Sequence, residues 1–396
     1  MTTKQDVLNA TGSADIARER PLLTRLMPMR SVVLLVASLL MILYFQVASD
    51  GIFISPNNAA LLIRQTAAVV VVAAGVAVLI IMGEIDLSIG SVAFVCGLIA
   101  AKCQMAGYDV MTSLVAALAV GAVIGLIQGL IISRLAVPAF VVTLGGLLLW
   151  RGVGLTWTNA AAVGPVSSQF TNLTEGRMPL FAAVIFAVLI VLFGVWSAIT
   201  RHRSAQRSGS AAPEKVVNAL LLSGAVAACL LWIALLGRGL PYAVLWIAGI
   251  VVLLDFVLTR AQFGRRAFLV GSNHEAAMYA GINVNNIVLT GFILMGTVCG
   301  LAGAMLISRV GTSTPDAGIN LELTAIAAAV IGGVSLRGGI GSIRGAMMGA
   351  FLLTTIDNGM SLLGMSSYAQ SVVKALILVF AVGLDGYFTR RQLVGK

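Results

Sequence analysis

Apolar residues run in long stretches through this chain, and short polar segments separate them. A helix that crosses a bilayer needs about 20 predominantly apolar residues. The stretches that reach or approach this length are residues 31–49, 67–101, 110–133, 137–156, 178–200, 216–237, 240–258, 286–308, 322–336, 345–363 and 368–388. The pattern predicts an all-α polytopic transmembrane helical bundle of about 10–12 spans over residues 31–388.

The longest apolar stretch, residues 67–101, contains only two charged side chains, Glu84 and Asp86. As a single helix it would be about 52 Å long, which exceeds the roughly 30 Å hydrocarbon core of a bilayer. We therefore predict two elements with a break at Gly83–Gly90. The stretch 322–336 is short for a span, and the sequence leaves open whether it crosses the membrane or re-enters it.

The composition agrees with a membrane protein and excludes other classes. Hydrophobic residues make up 59% of the chain and charged residues 10%, whereas soluble domains carry about 25% charged residues. The net charge of +10 is explained by basic loops and tails, so we predict no nucleic-acid partner. The four cysteines and two histidines show no metal or redox spacing, and no metal site is predicted.

The distribution of basic residues predicts the orientation. If both termini are cytoplasmic, the outer loops hold only Arg177, Arg238 and Arg309, while most of the 25 Lys and Arg lie in inner loops and tails. The positive-inside rule favours this arrangement. We predict cytoplasmic tails at residues 1–30, which lack a signal-peptide cleavage pattern, and at residues 389–396.

The stretch 259–284 is too polar for lipid, and the same rule places it in the cytoplasm. It begins with three arginines, Arg260, Arg265 and Arg266. Ser272 followed by Glu275 has the spacing of a capping box, and Gly281 suits the left-handed end of a helix. We predict a short, rigidly held helix over residues 273–281 that a partner grips. The alternative is a basic loop that only orients its flanking helices.

The predicted break carries the string Glu84-Ile-Asp-Leu-Ser-Ile-Gly-Ser91. A carboxylate that faces lipid costs roughly 2.5–3.5 kcal/mol, so both must face protein or water. Broken helices commonly form polar sites in transporters. One hypothesis is a hinge or a polar lining of a translocation path. The other is a structural pair that caps the second half-helix and meets an arginine such as Arg64 or Arg134.

Glycines crowd residues 325–345, which include Ile331-Gly-Gly-Val-Ser-Leu-Arg-Gly-Gly-Ile-Gly-Ser342. No Lys-Ser or Lys-Thr follows at the spacing of a phosphate-binding loop, so nucleotide binding is not predicted. The glycines are typical of close helix approach and of a tight or re-entrant turn.

These stretches resemble the permease subunits of bacterial ATP-binding-cassette (ABC) importers for monosaccharides, the ribose/xylose branch. In that family a Phe-Gly-Arg-Arg run leads to a Gly-x-Asn-x-Glu-Ala-Ala coupling helix, as in residues 259–284 here. The break resembles its Glu-Ile-Asp-Leu-Ser-x-Gly-Ser signature. The glycine-rich stretch resembles its Ile-Gly-Gly-x-Ser-Leu-x-Gly-Gly-x-Gly-Ser motif, which Asp357-Asn-Gly359 continues. Residues 137–145 match its Val-Pro-x-Phe-x-x-Thr-Leu-Gly.

The matches cover much of residues 63–385. Residues 178–258 depart from the shorter ribose-type permeases and resemble the longer xylose-type branch. We predict that they add a helical hairpin at the periphery, with residues 201–215 as a solvated inner loop.

The resemblance implies roles for particular residues. Those implied to couple to an ATPase are Arg260, Phe263, Gly264, Arg265, Arg266, Gly271, Ser272, Asn273, Glu275, Ala276, Ala277 and Gly281. Those assigned to the translocation path or its hinge are Glu84, Asp86, Ser88, Gly90, Ser91, Thr143 and Asn358.

The resemblance also implies partners. They are a second permease in a homodimer or pseudo-dimer, a cytoplasmic ABC ATPase, a periplasmic sugar-binding protein and the lipid of the bacterial inner membrane. The chain would hold no cofactor of its own, since ATP is bound on the ATPase. The implied function is import of a monosaccharide, with D-xylose or a related pentose as the expected substrate, and no enzymatic activity.

Two other classes are weighed against this one. An ion-coupled secondary sugar transporter would need a relay of intramembrane carboxylates, for which Glu84, Asp86, Asp255 and Asp357 are available. A membrane-embedded enzyme would need a nucleophile–base pair or a metal site, and the sequence contains neither pattern.

Overall fold

The computed structural model describes the backbone of residues 22–207 and 213–394. The predicted tail 1–30 and loop 201–215 lie partly outside these residues. The helices of the described chain are α1 (Leu22–Ala48), α2 (Pro56–Ile81), α3 (Ile89–Met105), α4 (Val110–Leu135), α5 (Ala139–Thr158), α6 (Ser168–Thr171), α7 (Leu180–Arg207), α8 (Pro213–Leu236), α9 (Ala243–Thr259), α10 (Gln262–Ser272), α11 (His274–Tyr279), α12 (Val284–Val310), α13 (Leu321–Ile331), α14 (Ile343–Leu362) and α15 (Ser367–Val394). Two short strands, β1 (Arg177–Met178) and β2 (Leu240–Pro241), pair antiparallel.

The architecture is therefore all-α and polytopic, as predicted. Among the described residues, five helices are long and apolar enough to cross a membrane: α2, α4, α5, α12 and residues 180–200 of α7. A sixth span results if α9 and α10, which are bent by 69° at their junction, count as one. The span count of 10–12 and the orientation of the termini stay predictions.

Helices α2 and α12 form the centre of the bundle. Most side chains of α2 from Thr66 to Ile81 are buried, which explains why this helix is apolar all round. Helix α4 crosses α12 through glycines, because a Cβ on Gly121 would collide with the backbone oxygen of Gly296. Small residues let helix backbones approach closely in membranes, where dispersion contacts replace the hydrophobic effect.

The break in residues 67–101 is confirmed. Helix α2 ends at Ile81 and α3 begins at Ile89, and Gly83 between them has φ = +87°. The predicted start of the first element is wrong, however, because α2 begins at Pro56. The hydroxyl of Ser55 accepts a hydrogen bond from the backbone N–H of Asn58 and caps the helix. Proline at the first helical position leaves no donor unpaired, so the polar segment Pro56–Asn58 forms the first turn of the helix.

The short stretch 322–336 forms only part of a crossing. Helix α13 has 11 residues and is about 16 Å long, about half of the hydrocarbon thickness. The loop 311–320 precedes it, and the glycine-rich turn 332–342 follows. Helices α13 and α14 then approach closely, because a Cβ on Gly345 would collide with the backbone oxygen of Gly332.

Candidate coupling site and translocation path

The stretch 259–284 folds as two helices, α10 and α11, where one was predicted. Helix α10 buries Gly264, Ala267 and Val270 against the bundle and leaves Arg265 and Arg266 exposed. Arg260 is also exposed, and its backbone oxygen accepts a hydrogen bond from the Arg265 guanidinium at 2.9 Å. The basic run thus forms an exposed face of the bundle at the start of α10.

The predicted capping box at Ser272 and Glu275 is wrong. Ser272 is the last residue of α10, and its hydroxyl donates to the backbone oxygen of Leu269 at 2.9 Å. Asn273 is the N-cap of α11, and its side-chain oxygen accepts from the backbone N–H of Ala276 at 2.9 Å. The cap lies one residue later than predicted because the preceding helix already uses Ser272. Gly281 has φ = +76° after the helix, which confirms its left-handed conformation.

The position of the cap predicts that substitutions at Asn273 and Ser272 affect the stability of α11 differently. We expect Asn273→Ala to destabilise α11 by about 1 kcal/mol, because the helix loses its N-cap acceptor. Ser272→Ala should change little, since its hydroxyl bonds within its own helix. Protease resistance and hydrogen exchange of residues 273–281 in the purified chain would measure both. Equal loss of protection in the two variants would contradict the assignment.

Helix α11 presents apolar side chains to solvent. Tyr279 is 91% exposed and Met278 52% exposed, while Ala277 is buried and anchors the helix to the bundle. Glu275 and Ala276 lie on the exposed side. Large apolar side chains on an otherwise polar segment are typical of a protein-binding surface.

The end of α10 contacts both the end of α2 and the glycine-rich turn 332–342. We call this contact the coupling junction; it is formed by Ile81, Gly271, Ser272, Gly338 and Gly339. The backbone N–H of Gly339 donates to the backbone oxygen of Ile81 at 2.9 Å. A Cβ on Gly271 would collide with that same oxygen, and a Cβ on Gly339 would lie 2.8 Å from the Cα of Ser272. The coupling stretch, the end of α2 and the glycine-rich turn therefore pack backbone against backbone.

Asp86 and Ser88, within the break, form a closed polar cluster. The Asp86 carboxylate accepts from the Ser88 hydroxyl at 2.6 Å and from the Ser88 N–H at 2.8 Å. The amide of Gln128 donates to the Ser88 hydroxyl at 2.9 Å, and Thr143 donates to the backbone oxygen of Ile85 at 3.4 Å. Asp86, Ser88, Gln128 and Thr143 are all buried. The cluster stabilises the turn into α3.

Neither arginine that the structural hypothesis named as a partner for Glu84 and Asp86 pairs with them. Arg64 pairs with Glu175, and Arg134 donates to the side chain of Asn286 at 3.4 Å. Asp86 is instead satisfied locally, by the residue that starts the next helix. Gln128 was missed by the sequence argument, although it is the one amide in the apolar stretch 110–133 and could have been singled out for that reason.

The cluster predicts unequal effects of two serine substitutions. Ser88→Ala removes a donor from Asp86 and an acceptor from Gln128 and should destabilise the chain by about 1–3 kcal/mol. Ser91 donates only to the backbone oxygen of Leu147, at 2.8 Å, so Ser91→Ala should cost about 0.5–1.5 kcal/mol. Thermal unfolding of both variants in detergent measures the difference. A smaller loss for Ser88→Ala would contradict this account.

Glu84 lies in a different environment from Asp86. It is partly buried and lines an open cavity of about 540 Å³ together with Arg134, Pro138, His274 and Asn285. The cavity thus joins the break, the turn between α4 and α5, and the start of α11. Its volume falls in the range of small-molecule sites.

Asn358 is far from the other predicted path residues. Its amide bonds with that of Asn58 at 2.9 and 3.1 Å and with Gln65 at 3.1 Å. Asn58 is near the start of α2 and Ile81 at its end, so about 35 Å of helix separates this cluster from the coupling junction. The structure does not join Asn358 to Asp86 and Ser88.

A crossing that the sequence did not predict joins the start of α3 to the loop before α13. A Cβ on Gly90 would collide with the backbone oxygen of Gly318 and with the carboxylate of Glu322. Glu322 is buried there, in the first turn of α13. We call Gly90, Gly318 and Glu322 the mid-depth crossing.

Comparison with known proteins defines the class. The model of a family described as "Branched-chain amino acid transport system / permease component" matches residues 58–382. The chain belongs to this family of membrane permeases.

Particular relatives narrow the class. The xylose transport system permease protein XylH of Escherichia coli K12 is 36% identical over 363 residues, 91% of this chain and 92% of the relative. XylH of Haemophilus influenzae is 35% identical over 89% of this chain and 95% of the relative. The ribose import permease protein RbsC of Escherichia coli K12 is 34% identical over 78% and 80%. No solved structure matches the chain. The predicted resemblance to ribose and xylose permeases is confirmed.

Proposed function

We propose that this chain is the membrane-spanning subunit of an ABC importer for a monosaccharide, in the bacterial inner membrane. ATP hydrolysis on a separate cytoplasmic subunit would drive transport, and a periplasmic binding protein would deliver the sugar. Two copies of the chain, or the chain and a similar permease, would enclose the path. The names and full-length similarity of the xylose and ribose permeases support this proposal.

The observation that carries the coupling role is the contact between the exposed helix and the bundle. Helix α11 offers Met278 and Tyr279 to a partner, while the coupling junction binds its base to the end of α2 and to the turn 332–342. A partner that moved α11 would therefore move the ends of α2 and α13. Differential affinity for the ATPase states could then shift the permease between two conformations.

D-xylose or a related pentose is the proposed substrate. The xylose permeases match this chain over 91% and 89% of its length, and the ribose permease over 78%. The difference in coverage favours the xylose type.

The ion-coupled alternative finds less support. Asp255 pairs with Arg344 at 2.7 Å, and Asp357 pairs with Lys374 at 3.3 Å. Asp86 is bonded to Ser88. Three of the four carboxylates named for a relay are thus engaged at separate places in the bundle, while the fourth, Glu84, lines the open cavity.

Reconstitution tests the proposal. The chain, co-purified with its ATPase and supplied with the binding protein, should import xylose into proteoliposomes only with ATP on the ATPase side. Unlabelled ribose and xylose as competitors would rank the two pentoses. Uptake by the chain alone, driven by a proton or sodium gradient, would overturn the proposal.

A further inference from the structure

Two segments of the bundle combine a non-helical stretch with a short helix: residues 82–88 precede α3, and residues 311–320, which are mostly turns, precede α13. The first leaves the coupling junction at Ile81 and becomes helical at Ile89. The second follows Gly311 and becomes helical at Leu321, and its helix ends just before the turn that reaches the junction. The starts of the two half-helices meet at the mid-depth crossing.

The packing of α3 on α12 gives the depth of this crossing. A Cβ on Gly97 would lie 2.8 Å from the backbone oxygen of Gly303 and also near Ile307, and Gly303 packs on Ala93. The helices thus run parallel, which puts Gly90 near the level of Gly300. That level is about 24 Å along a helix of roughly 40 Å, near the middle of the membrane.

Two polar side chains flank the crossing and face outward. Asp316 and Asn320 lie within two residues of Gly318, and both are exposed. Among the described residues neither side chain has a hydrogen-bond partner. Polar groups at this depth face water or another polar surface, because lipid offers them no partner.

Arg151 hydrogen-bonds to the loop that contains Asp316 and Asn320. Its guanidinium donates to the backbone oxygens of Pro315 at 3.2 Å and Ala317 at 2.8 Å. It also lies 4.7 Å from the ring centroid of Phe94, on α3. Asn320 has φ = +61°, the left-handed conformation, which asparagine adopts more readily than most other residues except glycine. The loop is therefore fixed between α3 and α5, and Asp316, which makes no hydrogen bond with any described residue, lies close enough to Arg151 for their charges to interact.

We propose that Asp316 and Asn320 form a hydroxyl-binding station for the transported monosaccharide halfway along the path, with Arg151 as the positioning residue. A carboxylate accepts hydrogen bonds from sugar hydroxyls, and an amide both donates and accepts. Neither side chain is engaged in a hydrogen bond within the described chain, whereas the crossing's own carboxylate, Glu322, is buried. The inference rests on the proposed function, since it names the cargo of that permease.

Thiol labelling tests whether positions 316 and 320 are accessible to water. Asp316→Cys and Asn320→Cys are made in a full-length chain with Cys103→Ser and Cys229→Ser, the two cysteines that are not buried. Leu192→Cys, an exposed apolar position of α7, is the control. In the complete transporter a water-soluble maleimide should label the station at least about tenfold faster than position 192, as a water-filled path requires. Labelling as slow as the control at both positions would overturn the proposal.

Transport tests whether the station binds sugar. Asp316→Asn and Asn320→Gly should lower the sugar moved per ATP hydrolysed by roughly tenfold, the loss expected for one or two hydrogen bonds. Glycine keeps the left-handed backbone at position 320. Asn159→Gly, at a left-handed asparagine with φ = +50° in the loop after α5, should have no effect. Wild-type stoichiometry in both station variants would overturn the proposal. Absence of ATP-driven uptake by the wild type would instead overturn the proposed function.

Discussion

Replacing Gly271 with valine is expected to abolish ATP-driven sugar uptake. A Cβ at this position would collide with the backbone oxygen of Ile81 and would lie 2.8 Å from the backbone nitrogen of Gly339. Both neighbours are main-chain atoms that hydrogen-bond to each other, so neither can rotate out of the way as a side chain could. The coupling stretch must separate from α2 and from the glycine-rich turn.

The expected loss of uptake is roughly a hundredfold. A misplacement of about 1 Å has an effect of this size on the rate of enzymes, whose function also depends on precise alignment. ATP hydrolysis by the associated ATPase should persist, because the exposed face of α11 is unchanged. Uptake and hydrolysis are measured together in proteoliposomes. Gly145→Val is the matched control, since a Cβ on Gly145 meets nothing within 4 Å. Normal uptake by Gly271→Val would show that the junction does not transmit motion.

Replacing Gly296 with valine is expected to have the largest effect on stability. A Cβ on Gly296 would collide with the backbone oxygen of Gly121 and lie 2.9 Å from the backbone nitrogen of Gly125. The two helices would have to move apart along their whole contact, at a cost of about 3 kcal/mol or more. Thermal unfolding in detergent would measure the loss.

Gly249→Val is the control for this second substitution, because Gly249 is exposed on α9 and a Cβ there meets nothing within 4 Å. It should unfold at nearly the wild-type temperature. An equal loss in both variants would show that the helical backbone, and not the α4–α12 contact, is responsible.

The elements themselves could be predicted because membrane insertion constrains them locally. A stretch of 35 apolar residues cannot be one span, so the break near Gly83 follows from length alone. Likewise, glycines in residues 325–345 indicated close approach. Their partner was not predictable, since nothing in the pattern says that Gly338 and Gly339 pack on Gly271. Such contacts depend on how distant segments assemble.

The errors have the same origin. Ser272 and Asn273 are both good capping residues, and only the length of the preceding helix decides between them. Asn358 and Asp86 were grouped because both belong to motifs of one family, yet they lie near opposite ends of α2. Asp316 and Asn320 were not singled out, because the sequence of a polar segment does not show which helices it packs against.

The central claim is that α11 is the docking point of the ATPase, and photo-crosslinking tests it most directly. A photoreactive benzoylphenylalanine is placed at Tyr279, which is 91% exposed, and separately at Tyr368, which is 86% exposed and lies near the start of α15. In the complete transporter, irradiation should attach the ATPase to position 279 and not to position 368. A complex that forms and transports sugar, but crosslinks to the ATPase only from position 368 or from neither position, would contradict the account.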